Sequence, residues 1–369
     1  MSEGDQRGRG HYAVAVIGST PSKRAPRRRA GALLALVAAV SVAVSGCAGA
    51  SLLPDPTPTV DPRPVPGEQG NAVGLAAAPL RGTLVEPGSL TRPSLAAKID
   101  NHVEARPHIA LNATDIVFEE LVEGGITRYV AVWHSQLPDE IGPVRSIRPM
   151  DPDIVSPFGG IIAYSGGQDV FVGMMMAAPV VNIVFDYDDT GLYYRADERP
   201  GPHDVILRSA EAVNRHLDLP APAPQFAYGS ATPLAAESYA ATPTSTINLR
   251  FSDERWPSWG WNAEGSVWMR SQEGAPDLEA SGAPVQSTNV VTLRVGIDWS
   301  YGEVPKTVMV GSGEAWLSVG GVTAHGTWSK DSATSPIVLT ADDGSPLRLA
   351  PGNTWVELIP DYGIIEFLP

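Results

Sequence analysis

The chain of 369 residues contains a single cysteine, Cys47. An intrachain disulfide and a cysteine zinc site are therefore both excluded. Lysine is nearly missing: beyond Cys47 only Lys98, Lys306 and Lys330 occur, against sixteen arginines. Positive charge is also confined. Residues 1–30 carry +5 from seven basic and two acidic side chains, so a formal net charge of −15 leaves −20 on the remainder. A body that acidic repels phosphate backbones, which excludes nucleic acid as a general partner. The histidines show no HExxH or other zinc spacing, and no repeat of fixed period runs along the chain. The expectation is a protein with no cofactor and no metal. Glycine and proline, by contrast, total 71 residues, which suits a turn-rich β or mixed fold better than a helical bundle.

The first informative segment is residues 23–47, KRAPRRRAGALLALVAAVSVAVSGC. A basic cluster precedes an apolar run over 30–44, too short for a comfortable membrane span and right for a signal-peptide core. The run ends in Val44-Ser45-Gly46-Cys47, the pattern of a bacterial lipobox. Small side chains there admit the cleaving peptidase, and the Cys47 thiol is the atom that accepts lipid. Residues 1–46 are thus expected to be a signal peptide. Lipidated (palmitate-bearing) Cys47 would anchor the mature chain to the extracytoplasmic face of the cell membrane. The Arg-over-Lys bias adds an expectation of a GC-rich, actinobacterial source. Residues 47–83 repeat proline at 54, 56, 58, 62, 64 and 66 and read as a semi-rigid tether.

Two folded segments follow. Over 84–228 strand-like runs (94–102, 115–121, 126–135, 160–165, 180–185) mix with helix-like ones (168–178, 204–217), and the runs flanking 122–125 read as a hairpin. A Pro-rich bridge covers 219–243. Over 244–369 short strands alternate with Gly and Pro, and eight of the nine tryptophans fall beyond residue 250. The expected fold class is α+β: a mixed α/β N-terminal domain, then a smaller all-β sandwich or barrel. Trp256, Trp259 and Trp261 lie in a Pro/Gly segment and are the ones expected to be exposed, as a sugar platform would require.

Ionisable groups concentrate between 100 and 151. Asp100, His102, Glu119, Glu120 and Glu123 outline a polar cleft, and Arg128, Arg145 and Arg148 supply guanidinium forks suited to phosphate or carboxylate. The competing reading is an internal ion-pair network between these arginines and Glu119, Glu120 and Glu123. Ser165, Gly166 and Gly167 stand between a strand and a helix, where backbone N–H groups can cradle an anion. Arg195, Arg199 and His203, in a Gly/Pro-rich stretch, could complete such a cup. A hydrolase arrangement of Ser165, Asp186 or Asp188, and His203 has the right order, but its members are too close in sequence for that fold.

The stretches IDNHVEARPH, DIVFEELVEGGITRYVAVWHSQ, IGPVRSIRPMD, YSGG and GPHD, with STNVVTLRV, GTWSKD and PGNTWVELIP further on, resemble the YerB-like bacterial lipoproteins, domain-of-unknown-function family 3048. The resemblance covers about residues 84–360. It implies an exported, lipid-anchored, two-domain protein, and it implies no reaction. The chain departs from the family near Asp277, where other members often carry a histidine. The expectation from residues and resemblance together is an envelope protein that binds an anionic envelope component, or a protein partner, through an Arg-lined cleft. The alternative is a wall-polymer enzyme, a hydrolase or a phosphate-handling transferase, using the same cleft. An Asp–His or carboxylate pair at catalytic distance would favour the enzyme.

Overall fold

The computed structural model describes residues 74–237 and 239–369. The expected signal peptide, Cys47 and most of the tether lie outside the described residues. The tether's expected end at 83 is corrected. Ala76–Ala77 pairs with Leu84–Val85, and Leu80 is fully buried in the core. Gly82 adopts φ +65°, and a Cβ there would strike the Tyr228 ring at 2.4 Å. Residues 76–85 therefore belong to the folded body.

An 11-stranded mixed sheet runs through the molecule. The N-terminal half supplies Leu95–Asp100, Ile116–Leu121, Thr127–Trp133, Ile161–Tyr164 and Val181–Val184. The C-terminal half supplies Ala241–Pro243, Asn289–Val295, Gly311–Val319, Val322–Lys330, Val338–Ala341 and Thr354–Pro360. Thr354–Pro360 lies parallel between Asn289–Val295 on one side and Ile116–Leu121 on the other. The strands therefore do not part into the expected α/β unit and separate β unit, because one sheet is continuous through both halves. The bridge over 219–243 is also packed: Phe226, Tyr228 and Leu234 are in the core, and the Tyr228 hydroxyl donates to the Leu80 carbonyl at 2.6 Å. Among the described residues strand makes up 40% and helix 13%, so the architecture is mainly β and only loosely α+β.

Both faces of the central strands are covered. Alternate residues feed two separate cores: Ile116, Phe118, Val130 and Val132 on one face, Val117, Leu121, Tyr129 and Trp133 on the other. The short helices Asp151–Val155 and Asp169–Met176 contribute to the first core. The second is shared with a 6-stranded sheet that includes Thr246–Arg250, Pro257–Asn262, Val267–Gln272 and Ile364–Leu368. Strands buried on both faces lose the apolar–polar alternation of a half-exposed sheet.

Most strand readings agree with the structure, including the hairpin of Ile116–Leu121 with Thr127–Trp133. The helix expected over 204–217 is shorter. Val205–Leu207 is a strand paired with Tyr193–Arg195, and the helix is Ser209–Asn214. Three consecutive branched residues favour the extended state once a partner strand is present. The tryptophan segment also differs from expectation. Trp256 is 46% exposed, but Trp259 is buried and Trp261 is half-buried. Pro257–Asn262 is a strand, and alternate side chains face inward.

Candidate functional site

Of the charged residues singled out in sequence, some lie outside the central strands, while Asp100, Glu119, Glu120 and Arg128 lie on them, so these four are buried by position and must find partners. They sort by strand parity onto the two faces of the sheet and form two distinct clusters.

On the face of the second core, Arg270 donates to Glu119 and, at 2.6 Å, to Asp277. Its guanidinium lies over the rings of Trp355 (4.9 Å), Tyr129 (5.5 Å) and Trp259 (5.8 Å). Burial works against this charge, yet Glu119 and Asp277 outweigh it and hold Arg270 well above its ordinary pKa. Glu119 also accepts from the Thr127 hydroxyl at 2.6 Å, and Gln272 donates to Asp277 at 2.8 Å. Glu357 stands beside Glu119 in the parallel ladder and accepts from the Trp259 indole at 2.7 Å. Burial and the neighbouring Glu119 charge push the Glu357 carboxyl well up. Asp277, where the resemblance departs from its family, is thus a buried partner of Arg270. Arg270, Glu119, Asp277 and Glu357 are all buried.

On the other face, Lys98 bridges Glu120 and Asp151, at 2.7 Å from the latter. Burial pulls the Lys98 ammonium down to about 8 against the charge of Asp151. Arg148 forks onto Glu123, and its own N–H donates to Asp151 at 2.5 Å. Arg128 reaches the Ser146 carbonyl at 2.7 Å and lies 3.8 Å from Glu123. Burial brings both Arg128 and Arg148 to about 10.

This second cluster opens at Asp100. One carboxylate oxygen, Oδ2, takes a 2.6 Å bond from His203 Nδ1 and lies 3.3 Å from Arg145 Nε. Oδ1 accepts the His102 amide at 3.1 Å. Burial alone would raise Asp100, but Arg128 and the bonds from His203 and His102 hold it below the ordinary carboxylate value. The Arg145 side chain is 26% exposed, and among the described residues no hydrogen bond engages its two terminal nitrogens. Beyond His203 the His102 ring stacks at 4.5 Å, and Glu104 Oε2 lies 3.5 Å from His203 Nε2 and 3.8 Å from His102 Nδ1. These three residues offer ligand atoms that all lie within 4.8 Å of one another, a geometry able to hold a metal ion. Sequence spacing missed it, because about a hundred residues separate His203 from the other two.

The structure therefore gathers Asp100, His102, Arg128, Arg145, Arg148, Glu120, Glu123 and His203 in one region and places Glu119 on the opposite face. Ser165 is beside Arg145, its amide donating to the Arg145 carbonyl at 3.0 Å. The Gly166–Gly167 turn does not present an open cradle. A Cβ on Gly166 (φ +135°) would land 2.1 Å from Asp186 Oδ2, and one on Gly167 would meet Ile147 at 3.2 Å. The chain's own carboxylate fills that space. Arg195 pairs with Asp204 at 2.6 Å, and Arg199 donates to the carbonyls of Ala105 and Pro107. Both tie loops rather than line the opening. The hydrolase arrangement is not formed, since His203 is oriented by Asp100 while Asp188 accepts from Thr190 and Tyr193.

A broad cavity of about 950 Å³ lies elsewhere, lined by Asp139, Glu140, Glu211 and Glu279 against Arg208. Its acidic lining is unsuited to the anion expected from the sequence.

Comparison with known proteins agrees with this architecture. Residues 80–218 match the family described as "Protein of unknown function (DUF3048) N-terminal domain", and residues 247–356 match its C-terminal domain. The chain is 28% identical, over 295 residues, to a Bacillus subtilis (strain 168) protein described as "Putative lipoprotein YerB". That alignment covers 77% of this chain and 86% of the relative. The crystal structure of the YerB protein from Bacillus subtilis superposes with a TM-score of 0.68 at 23% identity, covering 79% of this chain and 99% of that one. It shows a shared fold. Among the described residues no helix is long and apolar enough to cross a membrane.

Proposed function

The chain belongs to the DUF3048 family, and from that premise we propose that it is a lipid-anchored protein of the cell envelope that binds an anionic group at the opening around Asp100. The lipobox at Cys47 and the lipoprotein description of the Bacillus subtilis relative support the anchor and a place on the extracytoplasmic face of the cell membrane. One observation carries the binding site. Arg145 touches its only carboxylate, Asp100, through Nε, while that oxygen is already engaged by His203 and the terminal nitrogens of Arg145 remain without a protein partner among the described residues. A guanidinium fork in that state matches phosphate or carboxylate geometry. Arg128 also faces Asp100, so two guanidinium groups stand by this carboxylate.

Inorganic phosphate and glycerol phosphate are the probes for a test by calorimetry on the full chain carrying Cys47→Ser. Arg145→Ala is expected to weaken binding at least tenfold, while its urea midpoint reports a loss under about 1 kcal/mol, as for a solvent-touching pair. Unchanged affinity, or a loss of about 3–5 kcal/mol typical of a broken buried pair, overturns the reading.

A wall-polymer enzyme is the second reading, favoured by the Asp100–His203 bond at 2.6 Å. That pair orients an imidazole as a general base requires. His203 Nε2 faces Glu104, and among the described residues no hydroxyl bonds to it. Turnover of a purified wall polymer that is abolished by His203→Ala would establish this reading in place of simple binding.

A further inference from the structure

We infer that His102, Glu104 and His203 form a site for a divalent transition metal, Zn²⁺ being the ion their donors fit best, with Asp100 orienting His203 from behind. The inference does not depend on anion binding. It rests on four features of the cluster.

The first is distance. Glu104 Oε2 lies 3.5 Å from His203 Nε2 and 3.8 Å from His102 Nδ1. Tetrahedral bonds of about 2.0–2.1 Å place ligand atoms roughly 3.3 Å apart, so these two pairs need to close by only a few tenths of an ångström, while the two imidazoles, whose ligand atoms lie within 4.8 Å, have further to move.

The second is the tautomer. The Asp100 carboxylate accepts from His203 Nδ1 at 2.6 Å, so in the neutral ring the proton sits on Nδ1 and the lone pair on Nε2, the atom that faces Glu104. A carboxylate behind a histidine is how metal-binding imidazoles are held in one tautomer and one orientation. Asp100 is itself fixed at the end of a central strand by the His102 amide and by its place opposite Arg128.

The third is donor chemistry. Two imidazoles and one carboxylate suit Zn²⁺ and its neighbours, whereas Mg²⁺ and Ca²⁺ prefer oxygen alone.

The fourth is access. His203 is 9% exposed, His102 37% and Glu104 56%, so a rigid inner ligand meets two outer ones from the solvent side, and a further coordination position stays open. The two rings stack within 10° of parallel, and parallel rings do not aim both lone pairs at one ion. Loading the site therefore tilts the exposed His102 out of the stack and releases the Glu104 amide, now 3.2 Å from His102 Nδ1.

The test uses ZnCl₂ alone, titrated by calorimetry into the full chain carrying Cys47→Ser, which removes the only thiol. One ion per chain is expected. Glu104→Gln and His102→Ala, both at exposed positions, are each expected to weaken binding at least tenfold. Asp100→Asn is expected to cost about 10–100-fold, the effect of losing a partner behind a metal-bound histidine. His325→Ala is the control: His325 contacts Asp342 and Glu314 through opposite ring nitrogens, an exposed imidazole among acids that cannot converge on one ion. Absence of stoichiometric binding overturns the inference. So does binding that survives both Glu104→Gln and His102→Ala, or that falls with His325→Ala. Because phosphate and Arg145 take no part here, failure of this site and failure of the anion reading are distinguishable.

Discussion

The two ionic clusters on opposite faces of one sheet differ in how close their charged groups come to water. Around Arg270 each charged group is buried, and the guanidinium is boxed by three aromatic rings. Around Asp100 the inner members Lys98, Glu120 and Asp151 are as deeply buried, but from Asp100 contacts continue to the part-exposed Arg145 and through His203 to Glu104 at the surface. Charges that are buried and paired with one another, as Arg270, Glu119 and Asp277 are, hold the fold together. A network that continues to the surface has groups whose second partner can come from outside. Two arginine–carboxylate clusters that look alike in sequence therefore carry different roles.

The largest effect is expected at the Arg270 cluster. Arg270→Met strands Glu119 and Asp277 as buried carboxylates without a counter-ion, and a loss of about 3–5 kcal/mol in urea unfolding is expected. A loss as small as that of Arg145→Ala would erase the distinction between the clusters.

The next effect is a pH dependence at His108, which links the two faces. Its Nε2 bonds the Asp100 carbonyl at 2.7 Å, and its Nδ1 is buried without a partner. Burial lowers its pKa to about 4 from an ordinary 6.5. Between these values the unfolded chain binds the proton and the folded one does not. This contribution to stability is therefore complete above pH 6.5 and is lost as pH falls toward 4, by up to about 3 kcal/mol. His108→Gln should flatten that part of a stability–pH profile; an unaltered slope would assign the acid sensitivity to other groups.

Smaller still is the indole bond at the Arg270 cluster. Trp259→Phe leaves the Glu357 oxygen without its donor and is expected to cost about 1–3 kcal/mol. The exposed Trp256→Ala is expected to stay within about 0.5 kcal/mol. Equal melting shifts for the two would contradict the burial difference.

Much of the fold was legible residue by residue. The Val/Ile-rich runs at 116–121, 127–133 and 289–295 are strands because branched side chains crowd a helix and fit a pleated surface. The hairpin followed from Gly124-Gly125 between two such runs. Of the ion-pair reading of the arginines only the part at Glu123 holds, where Arg148 and Arg128 meet; Glu120 pairs with Lys98 and Glu119 with Arg270 instead. Less could be read wherever the partner is distant. Val205–Leu207 takes the extended state from its pairing with Tyr193–Arg195, and the space at Gly166 is filled by Asp186.

The sequence by itself determined the character of each segment: a basic stretch and an apolar run before Cys47, a Pro-rich stretch, strand-forming runs, and a body of high negative charge. Only the tertiary structure decided which charges meet. Strand parity divides Glu119 from Glu120, sending adjacent acids to opposite faces, one to Arg270 and the other to Lys98. Insertion of Thr354–Pro360 beside Ile116–Leu121 joins two halves that composition alone had separated. Closure of the chain brings His203 onto Asp100, across 103 residues, beside His102 and Glu104. Local propensity is set by each side chain's own sterics, whereas a site built from long-range contacts exists only once sheet register has been chosen.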